Sequence, residues 1–354
     1  MNIEGLLKEA VDKNASDIFI ITGLPVMYKI NGMFVPTEGK PLTPEDTTQT
    51  IKGLYDIVAD RDIERLFKSG DDDFSLAMPG VSRFRVNAYK QRSSLAAVIR
   101  VIQFALPNSK ELGIPQVVMD LAEKRNGMIL VTGTAGSGKS TTLACLINHI
   151  NKTRAGHIVT LEDPLEFLHR HDHCIISQRE VATDTEDYVR ALRASLRQAP
   201  NVVLLGEMRD HETISVAMTA AETGHLIFST LHTVGAANTI DRVIDAFPPN
   251  QQHQIRAQLS MVLQAVVSQH LIPTVNNKIV PAFEVMLVNN AIRNMIRESK
   301  IHQIDSVIHS SASMGMLTMD TSLMNLYKQG IISDRSAVAY SSNPEIMEKK
   351  LAMG

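Results

Sequence analysis

Gly133-Thr134-Ala135-Gly136-Ser137-Gly138-Lys139-Ser140 is the stretch whose reading decides the fold. The apolar run Met128-Ile129-Leu130-Val131 precedes it, and Thr141-Thr142-Leu143-Ala144-Cys145-Leu146-Ile147, helical in character, follows. Strand, glycine loop and helix in that order are the context that the phosphate-binding pattern GxxxxGK[ST] requires. Glycines let successive backbone N–H groups turn toward one centre, where they cradle phosphate oxygens. The helix that follows adds its positive N-terminal end. In this pattern Lys139 reaches the β- and γ-phosphates, the Ser140 hydroxyl ligates Mg²⁺, and Thr141 continues the binding segment. A turn that merely joins a strand to a helix does not call for every fixed position at once. The sequence therefore predicts that a nucleoside triphosphate binds here.

Composition sets the frame around this loop. A chain of 354 residues is long enough for two domains. Its 44% apolar and 21% charged residues are ordinary for a globular protein. A net charge of -3 gives no bulk reason to expect nucleic acid as a partner. Two cysteines, Cys145 and Cys174, make no disulfide framework and fit a reducing cytoplasm. No apolar run approaches the ~18 residues of a membrane span, and the first residues carry acids rather than a signal peptide's layout. Contact with a membrane is therefore expected only through a partner. Tryptophan is absent and aromatics are 5%, so aliphatic side chains and 17 Met must fill most of the core.

Taken in order, Ile3, Leu6, Leu7, Ala10 and Val11 recur at helical spacing. A strand over residues 18–21 and a hairpin turning at Asn31-Gly32 follow. A helix is predicted to start after Pro44-Glu45-Asp46 and run to about Lys68, then strands over 73–78, 82–91 and 96–102, which makes residues 1–106 an α+β module. Residues 107–115, Pro-Asn-Ser-Lys-Glu-Leu-Gly-Ile-Pro, break both periodicities and read as a linker. Residues 116–354 start with a helix over 117–124. Strands at 128–131, 158–161, 202–205 and 226–230 then alternate with helices over 187–198 and 211–223. That alternation predicts a largely parallel sheet with helices on both faces, an α/β fold. Beyond Gly235 the chain reads as mainly helical, with a hairpin around Asn276-Asn277 and residues 280–288.

Chemistry concentrates at three further segments. Asn201-Val202-Val203-Leu204-Leu205-Gly206-Glu207 is a buried apolar strand with a carboxylate at its exit, and Glu207 can hold Mg²⁺ directly or through its waters. Thr160-Leu161-Glu162-Asp163-Pro164-Leu165-Glu166-Phe167 gathers carboxylates where Pro164 stops a strand. A carboxylate there can position the water that attacks ATP, and spacing alone does not choose among Glu162, Asp163 and Glu166. Thr223-Gly224-His225-Leu226-Ile227-Phe228-Ser229-Thr230-Leu231-His232-Thr233 brackets a strand with two histidines. His232, after the strand, can report on the γ-phosphate; His225, before it, suits a subunit boundary. A fourth cluster, His169-Arg170-His171-Asp172-His173-Cys174, suggests metal ligands, but it lacks a second ligand group at useful spacing and reads as a solvated loop.

The glycine loop, the acidic box TLEDPLEF, the strand VVLLGEMRD and the histidine box TGHLIFSTLHT, in this order, resemble the secretion-type ATPases of type II secretion, type IV pili and conjugation. Within that group the chain resembles the type IV pilus retraction ATPases of twitching motility. Ala291-Ile292-Arg293-Asn294-Met295-Ile296-Arg297-Glu298 is close to their AIRNLIRE motif, with Met295 in place of Leu. Two cysteines cannot make the four-cysteine zinc site of assembly and secretion motors. The glycine loop departs from the family's GPTGSGKS by reading GTAGSGKS, which keeps the backbone donors.

The resemblance implies a PAS-like N-terminal domain and a RecA-like P-loop motor domain, assembled as a homo-hexamer with ATP and Mg²⁺ as ligands. It implies that Glu166 polarises the attacking water, that Glu207 is the Walker B acid and that His225 and His232 belong to the histidine box. Arg83 and Arg85, with Arg242 as a further candidate, match arginines that reach the nucleotide. ATP is expected between the two domains, and an inner-membrane platform protein of the pilus as the partner. The motor is expected in the cytoplasm, peripheral at the inner face of the membrane. Residues 291–298 place Ile292, Met295 and Ile296 on one helical face and Arg293, Arg297 and Glu298 on another. Periodicity gives an amphipathic helix; the resemblance makes it a candidate for force transmission. An accessory retraction motor, an assembly or secretion motor and, more remotely, a nucleotide-dependent scaffold or DNA-handling ring remain as alternatives.

Overall fold

Alternation of apolar side chains builds the first sheet. In the strand Ser82–Gln91, Phe84, Val86 and Ala88 are buried, while Arg83, Arg85 and Asn87 point to the other face. The computed structural model describes residues 2–352 other than Asn31, Ala59, Asp60, 103–105, Pro107 and Asn277. It divides into two units, residues 1–105 with Glu166–Leu168, and residues 106–165 with 169–354.

The N-terminal unit carries β1 (Asp17–Ile20), β2 (Met27–Ile30), β3 (Met33–Pro36), β4 (Asp71–Met78), β5 (Ser82–Gln91) and β6 (Ser94–Ile102) in the order β3-β2-β1-β6-β5-β4, all pairs antiparallel. Ile30 pairs with Met33, so two residues join that hairpin; Gly32 sits at φ +81°, and Asn31 lies outside the described residues. Helices Ile3–Asp12 and Pro44–Ile57 bury Leu7, Ile51 and Leu54 against Ile18, Phe84 and Ile99. Thr43 and Asp46 close a reciprocal cap at the start of the second helix, with Pro44 in its first turn. The single helix expected after Asp46 and up to about Lys68 starts earlier, at Pro44, and is broken. Val58 is extended at ψ 104°, and Asp62 accepts the Glu64 N–H to open a second helix, Glu64–Ser69. The β-branched pair Ile57-Val58 weakens helical continuation there.

The C-terminal unit carries β7 (Gly127–Thr132), β8 (Gly156–Glu162), β9 (Cys174–Glu180), β10 (Val202–Leu205), β11 (Leu226–Leu231), β12 (Leu263–Pro273) and β13 (Ile279–Leu287). Their order is β13-β12-β7-β11-β10-β8-β9, parallel throughout except for β13. Successive residues of each central strand split between two cores. Leu130, Val203, Leu205 and Ile227 face the helices Tyr188–Ser195, His211–Glu222, Ala236–Asp245, Gln252–Val262 and Asn290–Arg297. Ile129, Val131, Leu204 and Phe228 face the helix Lys139–Thr153. Burial on both faces makes these strands unbroken apolar runs. A last group of helices packs Leu323, Ala337 and Met347 onto Ile272 and Ala282.

Three expectations change here. Residues 116–124 form a short α-helix, Gln116–Met119, continued by a 3₁₀ turn, Asp120–Glu123. β9 lies where a loop alone was expected after His173. β12, inside the stretch expected to be mainly helical, pairs parallel with the P-loop strand β7 before turning antiparallel into β13 near Asn277, itself outside the described residues. Residues 108–114 are wound into turns by bonds such as Ile114 N–H to Ser109 O, and Ile114 is buried; Pro107 of the expected linker lies outside the described residues.

Candidate nucleotide site

Parallel pairing puts the C-terminal ends of β7, β11, β10 and β8 on one edge, where ligands of open α/β sheets collect. The loop 133–140 leaves β7 there. Gly133, Gly136 and Gly138 have φ of 144°, 76° and 87°, values that side chains resist. A Cβ at Gly133 would stand 2.3 Å from the Gln269 carbonyl, and one at Gly138 would stand 2.8 Å from Gln269 Nε2, whereas a Cβ at Gly136 meets nothing within 4 Å. The loop thus rests on β12 through Gln269 and is open at its crest. Gln269 Oε1 also accepts from Thr142 Oγ1 at 2.8 Å, tying β12 to the first turn of the following helix. Buried Lys139 curls over the loop, Nζ donating to Gly133 O at 3.0 Å and Thr134 O at 2.9 Å. Thr134, Ala135 and Gly136 are exposed; Ser140 and Thr141 are half-buried at the helix start.

Two strands away in the sheet, Glu207 leaves β10 with its side chain only 12% exposed. Oε1 pairs with Arg209 Nη2 at 2.7 Å; Oε2 lies 3.5 Å from His232 Nε2 and accepts no hydrogen bond among the described residues. Ser137 Oγ is likewise buried and unbonded. A glycine nest with an open crest, a lysine above it and a buried carboxylate oxygen with spare capacity are a donor set that fits a triphosphate with a divalent cation.

Beside β10, β8 delivers Glu162 and Asp163, and the peptide bond from Asp163 to Pro164 is cis. Val181 N–H donates to Glu162 O, and buried Glu180 at the end of β9 accepts the Leu165 N–H at 3.2 Å, so β9 fixes the backbone that leads into exposed Glu166. His225 lies at the opposite edge, before β11, its Nδ1 2.9 Å from Ala220 O at the end of a helix. Arg242 is exposed on Ala236–Asp245. Arg83 and Arg85 belong to the N-terminal unit; Arg85 forks onto Asp73, with Nη2 to Oδ2 at 2.5 Å.

Ala291, Asn294 and Glu298 of the helix Asn290–Arg297 and its cap are exposed, Met295 is half-buried, and Ile292 and Ile296 are buried. Arg293 does not extend into solvent as a polar-face residue should. Its Nη1 donates to Ser260 O at 2.7 Å and Met261 O at 2.9 Å, and Arg297 Nε reaches Ser260 Oγ at 3.4 Å. The motif therefore caps the C-terminal carbonyls of Gln252–Val262, the helix that runs into β12.

The histidine cluster does not converge. His169 is largely buried, and desolvation lowers its pKa to about 4. His171 Nδ1 accepts from Ile176 N–H at 3.0 Å, while His173 sits 3.1 Å from Asp172. Among the described residues no three His, Cys, Asp or Glu side chains group as metal ligands.

Sequence reasoning missed Gln269, Glu180 and Arg209. Arg209 had a local signal, two residues beyond Glu207; Gln269 and Glu180 reach the site through strand pairing.

Residues 1–335 match the model of the type II/IV secretion system protein family. The Pseudomonas aeruginosa protein named "Type IV pilus retractation ATPase PilT" is 43% identical over 345 residues, covering 98% of this chain and 99% of that one. From the same organism, "Type IV pilus ATPase PilU" is 37% identical over 355 residues, covering 100% and 92%. The crystal structure of the pilus retraction motor PilT with bound ADP superposes with a TM-score of 0.89 at 44% identity, over 98% of this chain and 99% of that one.

Proposed function

Because the chain belongs to the type II/IV secretion system protein family, we propose that it is an ATPase motor that retracts type IV pili in twitching motility. It combines a PAS-like N-terminal domain, residues 1–106, with a RecA-like P-loop motor, residues 116–354, joined by 107–115. The observation that carries this reading is likeness to PilT along both chains nearly end to end, with every box of the nucleotide site in place. Identity of 43% to PilT against 37% to PilU favours the principal retraction motor over an accessory one.

ATP's phosphates enter the nest of residues 133–140, and Lys139 exchanges its two loop carbonyls for phosphate oxygens. Ser140 and Glu207 would hold Mg²⁺, which when bound draws charge from the β- and γ-oxygens. Arg209 must release Glu207 for this, which its exposed position allows. Glu166 orients the attacking water, on a backbone that Glu180 anchors. Arg83, Arg85 and Arg242 supply guanidinium charge to the γ-phosphate as it leaves. His232, within 3.5 Å of Glu207, senses the change at that carboxylate.

Movement begins at β12. Gln269 touches the P-loop from within that strand, and the Arg293 cap grips the helix that enters its start. A shift of the loop on hydrolysis is passed along this packed path to residues 291–298. Six copies form the working ring in the cytoplasm. It engages an inner-membrane platform protein of the pilus, and no helix among the described residues is long and apolar enough to cross a membrane itself. In a twitching bacterium deleted for its retraction motor, the wild-type chain should restore twitching and Lys139→Ala should not. Failure of the wild type, with the protein folded and present, would contradict the proposal.

A further inference from the structure

Carboxylates that crowd one sheet edge repel one another, and holding them in a working orientation calls for hydrogen-bond donors. A cationic donor such as Arg209 also cancels charge that a metal-binding edge needs; a neutral hydroxyl does not. Tyr188 offers such a hydroxyl. It opens the helix Tyr188–Ser195, capped by Asp187, and its ring packs on the core that holds Leu161, Leu192 and Leu205. A Cβ at Gly206 would stand 2.8 Å from Tyr188 Oη, 3.2 Å from Leu161 O and 3.3 Å from Glu162 Cα. The phenol tip therefore fills the notch between the ends of β8 and β10, and glycine at 206 leaves it room. Burial chiefly, then the charges of Asp163, Glu207 and Glu162, push its ionisation far up, so it is a donor at any physiological pH. It makes no hydrogen bond to another described residue.

We propose that Tyr188 is a positioning residue for hydrolysis: its hydroxyl, set in the notch between β8 and β10 with no bond of its own among the described residues, is placed to donate into the carboxylate edge of Asp163 and Glu207 once nucleotide is bound, and so fixes how that edge faces it. The inference rests on the ATPase reading above. The donor's value lies in the reacting arrangement rather than in binding, because Tyr188 has no part in the phosphate nest.

The test is Tyr188→Phe in the full chain, which keeps the ring and removes only the donor. The turnover number should fall about tenfold, the loss expected for one hydrogen bond to a charged group. The KM for ATP, the affinity for a fluorescent nucleotide and the melting temperature should stay at wild-type values. Tyr188→4-aminophenylalanine, which restores a neutral donor, should recover most of the turnover. Wild-type turnover in Tyr188→Phe overturns the inference, as does a turnover loss that the amino variant fails to rescue. If the phenylalanine variant does not fold, the amino variant measured against wild type decides alone, by turnover close to wild type or lost. Absence of phosphate release from the wild type itself would remove the ATPase reading and this inference together, whereas an active wild type matched by an equally active Tyr188→Phe removes only the inference.

Discussion

Arg293→Met tests the link between the 291–298 helix and the strand beneath the P-loop. The substitution keeps an apolar stem of similar length and deletes the guanidinium that donates to Ser260 O and Met261 O. Those carbonyls are among the last four of Gln252–Val262 and have no partner along the helix. A hydrogen bond from a charged donor contributes about 1.5–3 kcal/mol when desolvated. Arg293 is half-buried and Met261 exposed, so water recovers part of the loss, and about 1 kcal/mol per bond is the discounted figure. The sum, about 2 kcal/mol, lowers the melting temperature of a unit this size by about 4–8 °C. Thermal unfolding followed by circular dichroism reads this directly, and Arg293→Lys should lose roughly half as much because it keeps a donor. Phosphate release below the melting range should survive in Arg293→Met while twitching fails, since the change lies in transmission and not in the nest. An unshifted melting temperature would refute the capping argument, and intact twitching would refute the transmission path.

Other substitutions read different parts of the site. Glu166→Gln should leave nucleotide affinity intact and abolish steady-state phosphate release, losing on the order of a hundredfold or more; normal turnover would remove Glu166 from its role. His169 gives a pH prediction. Its pKa is lowered to about 4 in the folded protein against an ordinary 6.5, so the unfolded chain binds the extra proton. The stability this represents is complete above pH 6.5 and is lost as the pH falls toward 4, by about 2 kcal/mol at pH 5. His169→Gln should flatten the fall in melting temperature between pH 7 and pH 5, and an unchanged slope would contradict the assignment.

Contiguous features of the chain were legible in its sequence. The P-loop lies in one stretch, and the central strands β7, β10 and β11 announce themselves as apolar runs because both their faces are buried. β9 escaped notice because it is an edge strand with Ile175 65% exposed and Ser177, Gln178 and Arg179 following. β12 was absorbed into a helical stretch because Leu263–Leu271 is buried along most of its length and follows a helix without a Gly or Pro break, a pattern that periodicity does not separate from buried helix. The long helix after Pro44 was overdrawn for lack of a proline or glycine to mark the break at Val58. Residues that act through pairing or packing left no local signal. Gln269 meets Gly133 and Thr142 only because β12 lies beside β7, and Tyr188 meets Gly206 only because its helix packs on the core that holds Leu161 and Leu205. Arg293 carried a helical-surface signature and turned out to cap another helix, since amphipathicity shows which face is polar but not what that face touches.

The most direct measurement of the central claim is phosphate release from ATP by the purified full chain, with and without Mg²⁺, for wild type and Lys139→Ala side by side. The account predicts release by the wild type only with Mg²⁺, and none above background for Lys139→Ala. Release by the variant at the wild-type rate, or none by the wild type with Mg²⁺ present, would contradict it.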